Sequence, residues 1–407
     1  MTQRLITPDI IANEALMQLE NNLVMGECVY RDYSKEFTKV GESINVRRPV
    51  QFTVTDGAPI GVQDVEEGNF SVSMDKQKHV AWAFNSKELT LTIDEYSERY
   101  IKPAMIQLAN RIDKDLLAEY KNVWNWVGDA GQTINSYADF AKGPERLDET
   151  AVPDDMRKAV LAPADSWALA GSQTSLFFDS IGEKAYRKGE IGEIGGVKTY
   201  KSQNVATHTC GSRDDTTPVA DTAAGNGVLS TTYNATADTD TMILSTDGWD
   251  TATLTAGDVF TIDSVYAVNP VSKETLTHLQ QFVVKTATAT ASSDTEVTIS
   301  PPIITSGPYQ TVSEAAADGD AIVNKGTAST GYRQNMCFHK NAFALVMRDL
   351  ILPDGVEFKS RKSHNGYSMR VVKQYDIRSD EEVIRLDVLY GTKCLDARLA
   401  TRMSGTS

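Results

Sequence analysis

KPAMIQLANRIDKDLLAEYKNVWNWVG, residues 102–128, decides how the rest of the chain is read. Apolar residues recur at Ile101, Met105, Leu108, Ile112, Leu116, Tyr120, Val123 and Val127. Steps of three or four are the period of a helix with one buried stripe. Thr92 and Glu95 have capping-box spacing, and Pro103 cannot donate to the helical ladder, so a short first segment is expected to kink or restart there. Gly128 is the expected stop. From Pro103 to Gly128 a continuous helix would span roughly 35–40 Å, longer than an average globular helix. Edged by Arg111, Lys114, Asp115, Glu119 and Lys121, it suits a spine laid across other elements. The competing reading is an ordinary long helix of an α+β enzyme.

Working outward towards the N-terminus, residues 70–93 alternate through Val72, Met74, Val80, Trp82 and Phe84, and residues 43–55 through Ile44, Val46, Val50, Phe52 and Val54. Both are strand patterns. The tract between them, DGAPIGVQDVEEGN at 56–69, has turn formers and acids and no helical period. Two extended arms with a polar tip make a long hairpin. It has too little local core to stand alone, so it is expected to lie on its own molecule or on a neighbour. Residues 13–23 predict a short helix.

Towards the C-terminus, helices are predicted over 136–150 and from Pro163 to Gly171, with strands over 158–162 and through Val197, Tyr200 and Val205. At Gly211 the composition changes. Residues 211–330 hold 24 threonines, and 15 acidic side chains against 4 basic ones, so they carry -11 of the chain's -15. The runs MILST, DVFTID, FVVKTAT and EVTISPPI alternate between turn signals, which predicts a small, Thr-rich β-domain, a twisted sheet or barrel. From Gly331 the earlier composition returns, with a strand over 335–338, a helix near Lys340 and strands over 368–375 and 383–391. The economical picture is one α+β domain interrupted by a β-domain.

A length of 407 residues implies two or three domains. The acidic balance argues against a broad basic nucleic-acid face. No run approaches the ~18 apolar residues of a membrane span, and the polar start MTQRLITPDIIANEALMQLENN is not a signal peptide, so no membrane partner is expected, and synthesis and assembly in a reducing cytoplasm are. Cys28, Cys210, Cys337 and Cys394 are too dispersed for a disulfide framework and read as small buried hydrophobes.

Chemistry-bearing constellations are sparse. His208 and Cys210 with Cys337 and His339 could converge on a tetrahedral metal, or the two thiols could touch, but unrelated packing is the simpler reading. GEIGEIGG at 189–196 is not a dinucleotide fingerprint, and Asp238, Asp240 and Asp247 lack the Gly and Glu of a calcium loop. No catalytic residue, cofactor or metal is assigned. Arg47, Arg48, Arg361, Lys362 and Arg370 stand out as positive sites in an acidic chain. One reading is solvated charge; the functional one is pairing between subunits with Asp64, Glu66 and Glu67 on the hairpin tip.

Four stretches, VPDDMRKAVLAP (152–163), GEIGEIGGVKTYKSQNV (189–205), NMCFHKNAFALVMRDL (335–350) and VIRLDVLYGTKCLDARLATRMSG (383–405), carry a likeness over nearly the whole chain. The sequence resembles the major capsid proteins of tailed bacteriophages, the Hong Kong 97 fold, and among them the coat proteins of short-tailed, Salmonella-type phages with an inserted β-barrel domain. The resemblance implies an N-terminal arm and helix (1–36), an extended loop with adjoining strands (37–91) and a spine helix of the peripheral domain (92–129). It further implies an axial domain in two parts (130–210 and 331–407, the latter with returning peripheral strands) and an accessory insert (211–330). It also implies hexamers and pentamers of an icosahedral shell around double-stranded DNA, built on a scaffolding protein, with a portal protein and a decoration protein as further partners. No Lys–Asn crosslinking pair is identified, so a non-covalent shell is expected, without cleavage of a long propeptide. A nanocompartment shell around a protein cargo is the nearest rival. A glycan-binding surface protein, and an enzyme with a β-accessory domain, are more distant ones.

Overall fold

The computed structural model describes residues 8–32, 43–48, 50–52, 54, 68–85, 97–173, 192–213, 227–230, 240–249, 253–289, 295–356 and 358–406. They form two compact units. One comprises residues 1–46, 71–117 and 343–393; the other comprises 47–70, 118–342 and 394–407.

In the first unit, strand Glu381–Cys394 is the central element. Lys76–Asn85 runs antiparallel along one edge through ten registered pairs, from Glu381 opposite Asn85 to Tyr390 opposite Lys76. Tyr367–Asp376 pairs on the other edge and is followed outward by Phe358–His364. Phe343–Arg348 completes the sheet. Residues 342–347 are all buried, and this explains why the helix expected near Lys340 is instead a 3-10 turn followed by a strand. A fully buried run has no polar face to show its period. Arm residues 76–85, expected in the extended hairpin, are thus sheet partners of their own chain.

Helix α1 (Pro8–Asn22) and helix α2 (Lys102–Leu117) pack together in this unit. A π-type turn, Ser97–Ile101, precedes α2, and Pro103 lies in the first helical turn, where its missing N–H costs nothing. The expected face is the buried one: Met105, Leu108, Ile112 and Leu116 are each at most 2 % exposed. α2 is fixed to the N-terminal segment by Asp113, whose carboxylate accepts from the backbone N–H groups of Val24 (2.9 Å), Met25 (3.1 Å) and Gly26 (3.2 Å).

The helical run is shorter than the sequence pattern implies. After α2 only the 3-10 turn Ala118–Asn122 follows, and Trp126–Val127 is a short strand. That strand joins the second unit's sheet, whose order is Trp126–Val127, Ala400–Met403, Asn335–His339, Arg157–Leu161, Val197–Lys201 and Glu193–Ile194. Gly128 is therefore no helix stop. It has φ +80°, and a Cβ there would lie 2.0 Å from the Ser404 carbonyl oxygen.

Helix α3 (Tyr137–Glu149) is capped by Ser136, whose Oγ accepts from the Asp139 N–H, and α4 (Pro163–Gln173) begins on a proline. Phe140, Leu147 and Leu169 from these helices share a core with Ala159, Leu161, Val197, Cys337 and Met403 of the sheet. Residues 174–191 lie outside the described residues; of the stretch GEIGEIGG at 189–196, residues 192–196 are described, with Glu193–Ile194 a short strand and Gly195 and Gly196 at positive φ in the turn after it.

The inserted β-domain belongs to the same compact unit. Its six-stranded antiparallel sheet runs Ile322–Asn324, Val259–Val268, Thr275–Val284, Thr295–Ser300, Met242–Asp247 and Gly227–Ser230, with a separate two-stranded pair, Thr253–Leu254 and Thr288–Ala289. Trp249, Phe260, Phe282, Val284, Val297 and Ile299 fill its core. The chain leaves and re-joins the body through a ribbon in which Thr207–Thr209 pairs with Gly331–Arg333.

Candidate functional site

The five positive residues singled out by the sequence fall in different environments. Cross-strand register puts Arg361, Arg370 and Asp387 in one row on one face of the first unit's sheet, with Arg385 two residues from Asp387 on that face. Asp387 is fully buried. Arg370 donates to its Oδ2 from Nη2 at 2.6 Å and from Nε at 3.2 Å, and Arg385 Nε donates to Oδ1 at 2.6 Å. One carboxylate thus holds two guanidinium groups, and with Arg361 the face keeps a positive excess. Arg361 itself makes a looser pair with Asp349 at 3.5 Å. Lys362 has the opposite parity and lies 3.5 Å from Asp9 of α1.

Arg47 is exposed at the end of strand Ser43–Arg47. Arg48 pairs with Asp240, two residues before strand Met242–Asp247 of the insert, and its guanidinium lies 5.6 Å from the Phe70 ring centroid. Asp64, Glu66 and Glu67 lie outside the described residues.

Around Asp258 the second unit holds a buried polar network that the sequence reading did not single out. Asp258 Oδ1 is 2.9 Å from His208 Nε2 and 3.0 Å from Arg213 Nη1, while Oδ2 accepts from the N–H groups of Gly211 (3.1 Å) and Thr255 (2.7 Å). Because an ionised carboxylate only accepts, Nε2 of His208 carries the proton and Nδ1, 3.1 Å from the Tyr120 hydroxyl, accepts from it. Arg402, from strand Ala400–Met403, donates to the Gly257 carbonyl at 2.8 Å and lies 5.2 Å from the Tyr120 ring centroid. Gly257 has φ +105°, and a Cβ there would press on His208 and Lys121 at 3.2 Å.

Burial opposes the charge of Asp258, but the bonds from His208, Arg213 and Thr255 outweigh it and hold the carboxyl below its ordinary value. Burial, reinforced by Arg402 and Arg213, pushes His208 down against the pull of Asp258. Burial also brings Arg402 down to about 10. The signal available in sequence was faint: Asp258 is only the first residue of the alternating run DVFTID, directly after a glycine.

His208, Cys210 and Asp258 offer atoms within 4.8 Å of one another. The arrangement is unsuited to a cation, since both imidazole nitrogens and both carboxylate oxygens are already engaged and two guanidinium groups stand beside them. Cys337 and His339 do not join them. They lie on the strand between Arg157–Leu161 and Ala400–Met403, with His339 3.6 Å from Asp155. Cys28, Cys210 and Cys337 are buried free thiols.

The sequence model of the family described as P22 coat protein, gene protein 5, matches residues 2–405. The chain belongs to this coat protein family. A relative named major capsid protein, from Acyrthosiphon pisum secondary endosymbiont phage 1, is 25% identical over 389 residues, 90% of each chain. A structure from Mycobacterium phage Che8 is similar with a TM-score of 0.49 at 14% identity, covering 93% of this chain and 90% of that one. The capsid structure of Cyanophage P-SCSP1u has a TM-score of 0.43 at 12% identity, covering 90% and 85%. As a member of the coat protein family the chain has the α+β fold of tailed-phage major capsid proteins, forms a capsid shell and is located in the virion capsid. Among the described residues no helix is long and apolar enough to cross a membrane.

Proposed function

We propose that this coat protein closes its shell from hexamers and pentamers, first as a precursor around a scaffolding protein and later as an expanded shell holding double-stranded DNA. The family match over residues 2–405 carries the reading. Each contact can be weak, because each subunit makes many and ring closure multiplies them. In this reading the acidic tip residues Asp64, Glu66 and Glu67 of one copy meet positive residues of another. Arg47 and Arg361 are the better candidates of the five, being exposed or loosely paired, whereas Arg370 is already held by Asp387.

The insert, with its net -11, is the solvent-facing module and offers a decoration protein its outer face. A portal protein occupies one vertex. Packaged DNA meets the inner surface without base readout, so its binding weakens steeply with salt. The test is co-expression with a scaffolding protein followed by negative-stain microscopy and nuclease protection of the contents. Closed, DNA-protecting particles are the expected result. A chain that stays monomeric under every assembly condition would reject the reading, and shells that copurify with an enzyme instead would favour a nanocompartment.

A further inference from the structure

Among the bonds between the insert and the α+β body, which include Gln281 and Lys325 to Trp126 and Lys285 to Asn122, two involve histidines. His208 lies on the ribbon that leads into the insert, with Tyr120 of the body on one nitrogen and Asp258 of the insert on the other. His278, on insert strand Thr275–Val284, faces Glu149 at the end of α3 at 3.5 Å. Around His208 the charged and titratable groups are Tyr120, Cys210, Arg213, Asp258 and Arg402. Around His278 they are Glu149 and Arg146.

We propose that the seam between insert and body is a proton-operated joint, in which protonation of His208 loosens the insert from the body while leaving the insert's own sheet intact. Three steps lead there. First, protonated Nδ1 can no longer accept from the Tyr120 hydroxyl, so that bond must reverse or break. Second, an imidazolium would be the third buried cation beside one carboxylate, Arg213 and Arg402 being the other two, and buried charge without a counter-ion is costly. Third, Asp258 is the node that also fixes the amides of Gly211 and Thr255, so a shift there frees the ribbon and the turn together.

The sign follows from linkage. Burial holds His208 below its ordinary value and His278 at about 4, so the stability they allow is present above about pH 6.5 and lost as pH falls. The insert's sheet is closed by backbone pairing and a core of Trp249, Phe260 and Phe282, neither of which titrates there.

Hydrogen exchange of the full chain at pH 7.5 and pH 5, corrected for intrinsic rates, tests the joint. Amides of Gly211 and Thr255 should lose at least tenfold in protection at pH 5, while those of strands 242–247 and 295–300 change less than twofold. In H208Q, which keeps a donor for Asp258 and cannot become charged, the acid-induced loss should shrink to under twofold. Histidine-labelled wild-type protein supplies a second readout that needs no variant. The chain has five histidines, and loosening must follow the His208 imidazole nitrogen shifts. Seam amides that stay protected at pH 5, an H208Q response equal to wild type, or loosening displaced by more than one pH unit from the His208 titration would each overturn the joint.

Discussion

Gln281 satisfies both main-chain groups of Trp126, accepting from its N–H at 2.5 Å and donating to its carbonyl at 2.9 Å. A side chain of the insert thereby completes the edge of the body's sheet, standing in for one residue of a neighbouring strand. Lys325 donates to the same carbonyl at 2.7 Å, so the N–H depends on Gln281 while the carbonyl has a second donor. In Q281L the buried N–H loses its acceptor. Leaving such a group unsatisfied costs about 1–3 kcal/mol. Equilibrium denaturation of the full chain should show a lowered midpoint, and an unchanged midpoint would mean the bond is not formed in solution.

Asp113 gives a pH dependence of opposite sign to the histidines. Burial raises its carboxyl to about 6 despite the three N–H donors from residues 24–26. A group raised in the folded state contributes stability that is full below about pH 4 and lost as pH rises through about 6. Other groups destabilise the protein in acid, so the useful quantity is the stability difference between wild type and D113N, which does not titrate. That difference should favour wild type more at pH 4.5 than at pH 7.5. D113A, which removes the acceptors altogether, should increase amide exchange at Val24, Met25 and Gly26. A pH-independent difference would refute the raised value.

Much of this architecture was legible because it is written in periods and caps. Ser136 as the N-cap of α3, the proline opening α4, and the alternating runs of the insert each have a local cause that one sequence reports. The errors arise where burial is complete or tertiary contacts override local preference. Phe343–Arg348 has no polar face to distinguish strand from helix. Trp126–Val127 has helical spacing with the preceding residues but is drawn into parallel pairing with Arg402 and Met403, a partner 276 positions away for each. The Asp258 network was invisible for the same reason. Its members lie at positions 120, 208, 213, 258 and 402, and only the fold makes them neighbours. The positive residues were found, but no strand was predicted over Phe358–His364, so the alternation that puts Lys362 and Arg361 on opposite faces went unread.

Deleting residues 56–69 tests the arm independently of the body. The tract has turn formers and no apolar period, so its loss removes little core and the monomer should keep its melting temperature within a few degrees. Shell formation should fail, because the proposed acidic contacts are removed. Normal particles from the deletion, measured by sedimentation and microscopy, would show that the tip is dispensable.

Asp387 is the one acidic residue in the run VIRLDVLYG, 383–391, of strand Glu381–Cys394, and its role is to let Arg370 and Arg385 share one sheet face. Removing one partner of a buried ion pair is far more costly than removing an exposed one, about 3–5 kcal/mol against about 0–1. D387A should therefore be severely destabilised, since two guanidinium groups would face each other without a counter-ion. R385A should be nearly neutral in the monomer, as its side chain is 42 % exposed and Asp387 keeps Arg370. Combining D387L with R370L removes the charges in matched fashion and should recover much of the loss seen in D387A. If the double variant is no better than D387A, repulsion between the arginines is not the cause, and the lost packing of the carboxylate must be.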